Sequence, residues 1–353
     1  MPDEGWPMVW SFHAIGVDAE RHASADGPLR AFGRTLAIVV HCEGWPPAAA
    51  GEDGPIGWHA AGSAGYDVDG GEDGPICDPV KVREWYCYES CRVRGHCTNK
   101  TRGEGTCRYS HCLDDVAFVL EVLHHIRARI PVDDSRIFAT GDSSGGILLH
   151  ELAADHRSLG VFAAIAPICA LPSNGFNRGT LDPRTRCLQL AGTKDGFVSA
   201  AANLKSEQSG RVDPTRSYGE NRGWFWSSMD NTTDLWASQK GLVPRLEGGM
   251  SDLHPELGAA ELRCRGWSAD GSVERAELAE CYFEEGHCFP GSHSRRLVWR
   301  FFGFEDPIAG VGLDGECGAV DGECAEPAYG AEATSGRRRW PAFAGRRSDV
   351  RHS

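Results

Sequence analysis

The sequence predicts an α/β architecture, a mostly parallel sheet with helices on both faces. Short apolar runs of strand length alternate with segments of helical period along the chain, the pattern of strands joined by crossover helices. In addition, a Gly-x-Ser-x-Gly segment, Gly141-Asp142-Ser143-Ser144-Gly145, stands where one such strand turns into a helix.

The elements read as follows. Residues 1–28 show no pattern and stand as an N-terminal segment of uncertain role. Thr35–Val40 (TLAIVV) is apolar and β-branched, the mark of a buried strand. From Cys42 to Pro79 the chain is Gly, Ala, Asp and Pro, with GEDGPI at 51–56 repeated at 71–76, and reads as loop. A cysteine-rich insertion spans 77–112. Leu113–Ile130 is the clearest helix: Val116, Val119, Leu120, Leu123, Ile126 and Ile130 share a face, Asp114 and Asp115 suit its start, and Pro131 ends it. Arg136–Gly141 is a strand, Gly146–His156 a helix, and Val161–Ile168 and Cys187–Ala191 are buried strands. Asp230–Gln239 forms a short helix, Cys281–Phe283 the last strand, and Ser294–Phe302 a closing amphipathic helix.

Composition narrows the function. The 353 residues carry a net charge of −14, which argues against a general nucleic-acid or anionic-membrane binder. No apolar run approaches the ~20 residues of a membrane helix. Six of the 14 cysteines, Cys77, Cys87, Cys91, Cys97, Cys107 and Cys112, crowd one polar stretch. Their spacings contain no CxxC pair, so disulfides are favoured over zinc, and disulfides persist in oxidising compartments. The sequons at Asn99 and Asn231 agree with a secretory route. Met1–Val17 holds no recognisable signal peptide.

The Gly-x-Ser-x-Gly segment has the context of a nucleophile elbow, which lifts Ser143 to the N-terminus of a helix where the dipole favours an oxyanion. Serine needs a base, and the base needs an acid to orient it. In an α/β-hydrolase both follow downstream in loops after strands: Asp195 follows CLQLA, and His287 follows CYF. His124, His125, His150, His156 and His254 read as structural or exposed. Ser144 is expected to give one oxyanion N–H, and the loop after TLAIVV the other, at Cys42 or Glu43. Trp58, Trp224 and Trp226 are candidate substrate-binding aromatics. No metal and no cofactor is called for.

With these residues in place the chain resembles the secreted esterases of the polyhydroxybutyrate depolymerase and feruloyl esterase group. The stretches that carry the resemblance are LDDVAFVLEVL, VDDSRIFATGDSSGG, VFAAIAPI, the AGTKD loop, and EEGHCFPG with LVWRFF. It implies a serine hydrolase of carboxylic esters, polysaccharide-linked or polyester, with Ser143, Asp195 and His287 as its triad. Gly57-Trp58-His59-Ala60 is similar to the group's G-W-N-A segment. The group has His-Gly where this chain has His41-Cys42, and Asp-Pro where it has Asp195-Gly196. It also places a helix and a strand where this chain has only residues 45–56, so a central strand is expected to be missing and the oxyanion loop misplaced. The domain expectation is a catalytic unit at 29–304 with a disordered tail at 305–353. The alternative is a catalytically impaired secreted homologue, a binding protein or a damaged gene product.

Overall fold

The computed structural model describes residues 4–25, 37–45, 56–58, 113–172, 181–195, 198, 218–221, 224–227, 229–244, 262–268, 276–284, 286–288 and 292–304. The cysteine-rich insertion, both sequons' asparagine side chains and the 305–353 tail lie outside it. An eight-stranded sheet organises the chain. In chain order the elements are β1 (Trp6–Phe12), α1 (Ala19–Ala25), β2 (Ile38–Cys42), α2 (Asp115–Arg127), β3 (Val132–Asp142), α3 (Ser144–Ala154), β4 (Ala164–Ile168) and β5 (Arg186–Gly192). Then come β6 (Tyr218–Asn221), β7 (Trp224–Ser227), α4 (Met229–Lys240), β8 (Val243–Pro244), β9 (Leu262–Ser268), β10 (Leu278–Phe283) and α5 (Ser292–Phe301).

The strand order is β2-β1-β3-β4-β5-β10-β9-β8. The pairs from β2 across to β10 are parallel, and β9 and β8 are added antiparallel. With helices on both faces this is the α/β-hydrolase fold. The inner strands are buried on both sides, hence their nearly unbroken apolar runs. Met8, Trp10, Phe12, Ile137, Ala139 and Ile165 pack on one face with Val119 and Leu123 of α2, Leu148 and Leu152 of α3, and Trp236 of α4. Val9, Phe138, Ala166, Leu188 and Leu190 point the other way, onto Leu297, Val298 and Trp299 of α5. The alternation along β1 and β3 is the period-two rule of a strand.

The expectation of a missing central strand is overturned. Residues 6–12, which showed no pattern, form β1, an inner strand paired with β2 on one side and β3 on the other. TLAIVV is one position further out, as β2. The sheet therefore has no gap at this point. Two local features explain why β1 is hard to see. Pro7 lacks an N–H, and the pairing with β3 is interrupted there, Trp6 facing Val132 and Met8 facing Ile137. The excursion of β3 is held by Asp133, whose carboxylate accepts from the Ser135 N–H at 2.9 Å and the Ser135 hydroxyl at 2.6 Å. Burial alone would raise the Asp133 carboxyl, but these bonds and the Arg136 guanidinium hold it below its usual value.

The other unforeseen elements are α1, the β6–β7 ribbon, β8 and β9. A disulfide joins Cys264 of β9 to Cys281, the residue directly opposite on β10. Neither cysteine belongs to the cluster singled out from sequence. No helix among the described residues is long and apolar enough to cross a membrane.

Candidate active site

The chain runs from β1 outward to β2 and then returns to β3 on the far side of β1. Such a reversal opens a crevice at the carboxyl ends of the strands, where open α/β sheets bind their ligands. Ser143 stands there, between the last residue of β3 and the first of α3. Its backbone has φ 51° and ψ −117°, a region that costs a non-glycine residue of order 1–3 kcal/mol. Its side chain does not cap α3, which leaves the hydroxyl available to other partners. Two close approaches fix the turn. A Cβ on Gly145 would collide with the carbonyl of Phe12 and lie 2.7 Å from that of His13, and one on Gly146 would strike Ala170.

β5 and β10 are parallel neighbours, so the loops that follow them emerge side by side. The first turns tightly, Asp195 N–H donating to the Gly192 carbonyl at 3.2 Å, and buries Asp195 completely enough that 1% of it is exposed. The second carries His287. Asp195 and His287 meet through Oδ2 and Nδ1 at 2.7 Å, and His287 Nε2 lies 3.0 Å from Ser143 Oγ. Asp195 Oδ1 also accepts from the Val198 N–H at 2.9 Å. A carboxylate can only accept, so Nδ1 carries the imidazole proton and Nε2 is left to accept from the serine hydroxyl. Ser143, His287 and Asp195 are thus one directed chain of hydrogen bonds.

The oxyanion side needs a correction. Ser144 opens α3, and a first-turn N–H has no intrahelical acceptor. Cys42, however, ends β2 and Glu43 follows it, and β1 lies between them and β3. Cys42 is buried, with its thiol pushed up to about 12 by desolvation, and Glu43 is exposed and accepts from the Ala19 N–H at 3.4 Å. The backbone that touches the elbow is Phe12–His13, at the end of β1. The turn beyond it is tightly braced. His13 Nδ1 donates to the Ala14 carbonyl at 2.8 Å, its Nε2 accepts from the Gly44 N–H at 2.8 Å, and Gly16 N–H donates to the Ile56 carbonyl at 2.7 Å. Among the described residues, the N–H groups of Ala14 and Ile15 have no hydrogen-bond acceptor. Burial lowers His13 to about 4, so the ring is neutral, as its acceptor role at Nε2 requires.

Trp58 is corrected too. It is fully buried, edge-on to Phe12 at 5.1 Å between ring centres, and its indole N–H donates to the His13 carbonyl at 3.0 Å. It braces the β1 turn and offers no surface to a substrate. Trp224 and Trp226 lie on one face of β7, which pairs antiparallel with β6 apart from the main sheet; their side chains lie outside the described structure. Of the other histidines, His124, His125 and His156 are exposed. His150 is buried at 2% exposure against the Ala170 carbonyl at 3.1 Å, and burial lowers it to about 4. His254 lies outside the described residues.

Sequence reasoning missed two features of the site. Asp142, beside Ser143, receives the Arg295 guanidinium of α5 at 3.1 Å and faces His22 of α1 at 4.0 Å, which ties this turn to two distant helices. Cys169 and Cys288 flank the Ser143–His287–Asp195 chain, and each of their sulfurs is within 4.8 Å of the other and of a ring nitrogen of His287. A His-Cys dipeptide was legible at 287–288, but nothing in the sequence paired it with Cys169.

No protein-family model matches the chain, and no curated protein sequence matches it. Among solved structures it is similar to an acetyl xylan esterase from Aspergillus awamori, with 11% identity over 86% of this chain and 90% of that one and a TM-score of 0.45. A structure titled sOPH Native gives 13% identity over 84% and 78%, with a TM-score of 0.40. SOBER1 from Arabidopsis thaliana gives 13% identity over 55% and 77%, with a TM-score of 0.32. Likeness at this level transfers no chemistry, which has to come from the side chains.

Proposed function

We propose that this protein is a serine hydrolase of carboxylic esters that works through an acyl-enzyme. What supports the reading is the directed chain Ser143–His287–Asp195, at 3.0 and 2.7 Å, set at the switch point of the sheet. Ser143 Oγ attacks the ester carbonyl while His287 Nε2 takes its proton. Asp195 holds the ring in the tautomer that can do this and stabilises the imidazolium that forms. The developing oxyanion lies against the Ser144 N–H and the freed N–H groups of the Ala14–Ile15 turn. His287 then returns the proton to the leaving alcohol, and water repeats the sequence to release the acid.

The substrate class within this reading is a polysaccharide-linked or polyester ester of the feruloyl or hydroxybutyrate type, on the resemblance given above. The chain is placed in the secretory route. The Cys264–Cys281 bond supports that placement, because such bonds persist in oxidising compartments. The impaired-homologue alternative rested on the shortened 42–57 segment, on Cys42 and on the absence of a recognisable signal peptide; β1, paired with β3, answers the first of these.

The test is labelling of the purified chain with a fluorophosphonate probe. Ser143 should be the labelled residue, and Ser143→Ala should lower ester hydrolysis by about 10⁵–10⁶-fold. Unchanged turnover in that variant, or a probe adduct elsewhere, refutes the assignment.

A further inference from the structure

Among the described residues, three that are not glycine adopt a positive φ: Ser143 at 51°, Cys169 at 50° and Cys288 at 54°. Bulkier residues rarely enter this region, and strain of this kind gathers where surrounding structure over-determines the backbone. All three stand at the carboxyl edge of the sheet, within the site. Cys169 directly follows β4, the strand between β3 and β5, and its N–H donates to the Leu190 carbonyl at 2.8 Å. Its sulfur accepts from the Cys288 N–H at 2.7 Å, so it already lies against the backbone of the residue after His287. Both thiols are buried.

A thiol pair beside an imidazole could hold a soft metal ion. Here both ring nitrogens of His287 are already engaged, one by Asp195 and one by Ser143, whereas the two sulfurs have only weak backbone partners, the Cys288 N–H at 2.7 Å and the Ile168 carbonyl at 3.9 Å. From these positions we infer that Cys169 and Cys288 form a disulfide in the oxidised protein, which tethers the His287 loop to the end of β4. The sulfurs, which stand within 4.8 Å of one another, close to the ~2.05 Å of a bond when it forms.

The chemistry balances with a small-molecule disulfide such as glutathione disulfide as oxidant. One cysteine thiolate attacks it and releases one thiolate. The second cysteine thiolate then attacks the protein sulfur of that mixed disulfide and releases the other. Two electrons pass to the oxidant, and the two thiol protons end on the released thiolates. Burial raises both thiols in the folded chain, so exchange belongs to folding, before the site closes. The Cys264–Cys281 bond is made by the same chemistry on the same sheet.

The test uses the full chain, refolded with glutathione disulfide, digested without reduction and mapped by mass spectrometry. The expected product is a crosslinked peptide pair containing Cys169 and Cys288, two hydrogens lighter than its free peptides. Quantitative alkylation of both residues in the denatured, unreduced protein would overturn the inference. So would pairing of either with another cysteine, or protection lost to a chelator together with a bound metal.

A kinetic arm, which rests on the proposed function, measures positioning. In Cys169→Ser/Cys288→Ser, kcat on a small activated ester should fall about tenfold with KM unchanged, because the His287 loop loses its tether. Cys264→Ser/Cys281→Ser should lower the thermal midpoint and leave kcat unchanged below the transition. An equal loss of kcat in both variants removes the positioning role. If the unmodified enzyme takes up no probe, the hydrolase reading falls while the mapped bond stands.

Discussion

Two neighbouring segments of this molecule look alike and do different things. His13-Ala14-Ile15-Gly16 and His41-Cys42-Glu43-Gly44 both read His-x-x-Gly after an apolar run, and they lie on adjacent parallel strands, with Phe12 facing Cys42. The first turns against the nucleophile elbow, with its histidine neutral and bonded at both nitrogens. The second begins two residues earlier relative to its partner, so that His41 is still inside β2 and faces Ser11. What separates them is adjacency: only β1 touches β3. Under the proposed function, the oxyanion donor is set by which strand neighbours β3, and composition does not encode that.

The contrast can be pressed experimentally. The largest effect is expected at the brace. Trp58→Ala removes a fully buried indole and leaves the His13 carbonyl without its donor, and should cost about 3–5 kcal/mol in denaturant unfolding. A loss below about 1 kcal/mol would mean that Trp58 holds nothing.

Acid comes next. His13 is held at about 4 against an ordinary 6.5, and His150 likewise, both by burial. Between those values the unfolded chain binds more protons than the folded one, so stability falls as pH drops from 6.5 to about 4. Each ring contributes roughly 3 kcal/mol of that fall, and none of it above 6.5. His13→Gln should flatten the slope of unfolding free energy against pH in this window, and an unchanged slope would remove His13 from the account.

Activity separates the two segments more finely. Gly145→Ala drives a methyl into the Phe12–His13 backbone and should slow ester hydrolysis by about 10²-fold, since displacement of a catalytic turn by about 1 Å costs that much. Smallest of all, Cys42→Ala and Glu43→Ala should each leave the rate within about twofold. A hundredfold loss in either would bring a side chain of the β2 loop into the site.

Much of the site was legible because its residues are local signals. Ser143 sits in a five-residue motif at a strand–helix junction, and Asp195 and His287 each follow a short apolar strand. Helix α2 was legible from its apolar period and from Asp114, which caps it by accepting from the Ala117 N–H at 3.0 Å. β1 was not legible, because Pro7 and two tryptophans within WPMVWSF do not look like a β-branched run. β9 hid for a related reason: LRCRGWS holds two arginines and a glycine and becomes a strand by pairing with β10. The ties from Asp142 to Arg295 and from Cys169 to Cys288 join residues far apart in sequence, and no local pattern announces such partners.

The place of β1 also bears on how the chain is made. Among the described strands the one made earliest, residues 6–12, is an inner one, and its second neighbour ends at Asp142. At ordinary synthesis rates, about ten seconds pass between them. During that interval Met8, Trp10 and Phe12 have β2 on one side and nothing on the other. A nascent chain with so early and so apolar a waiting strand is one that invites a chaperone.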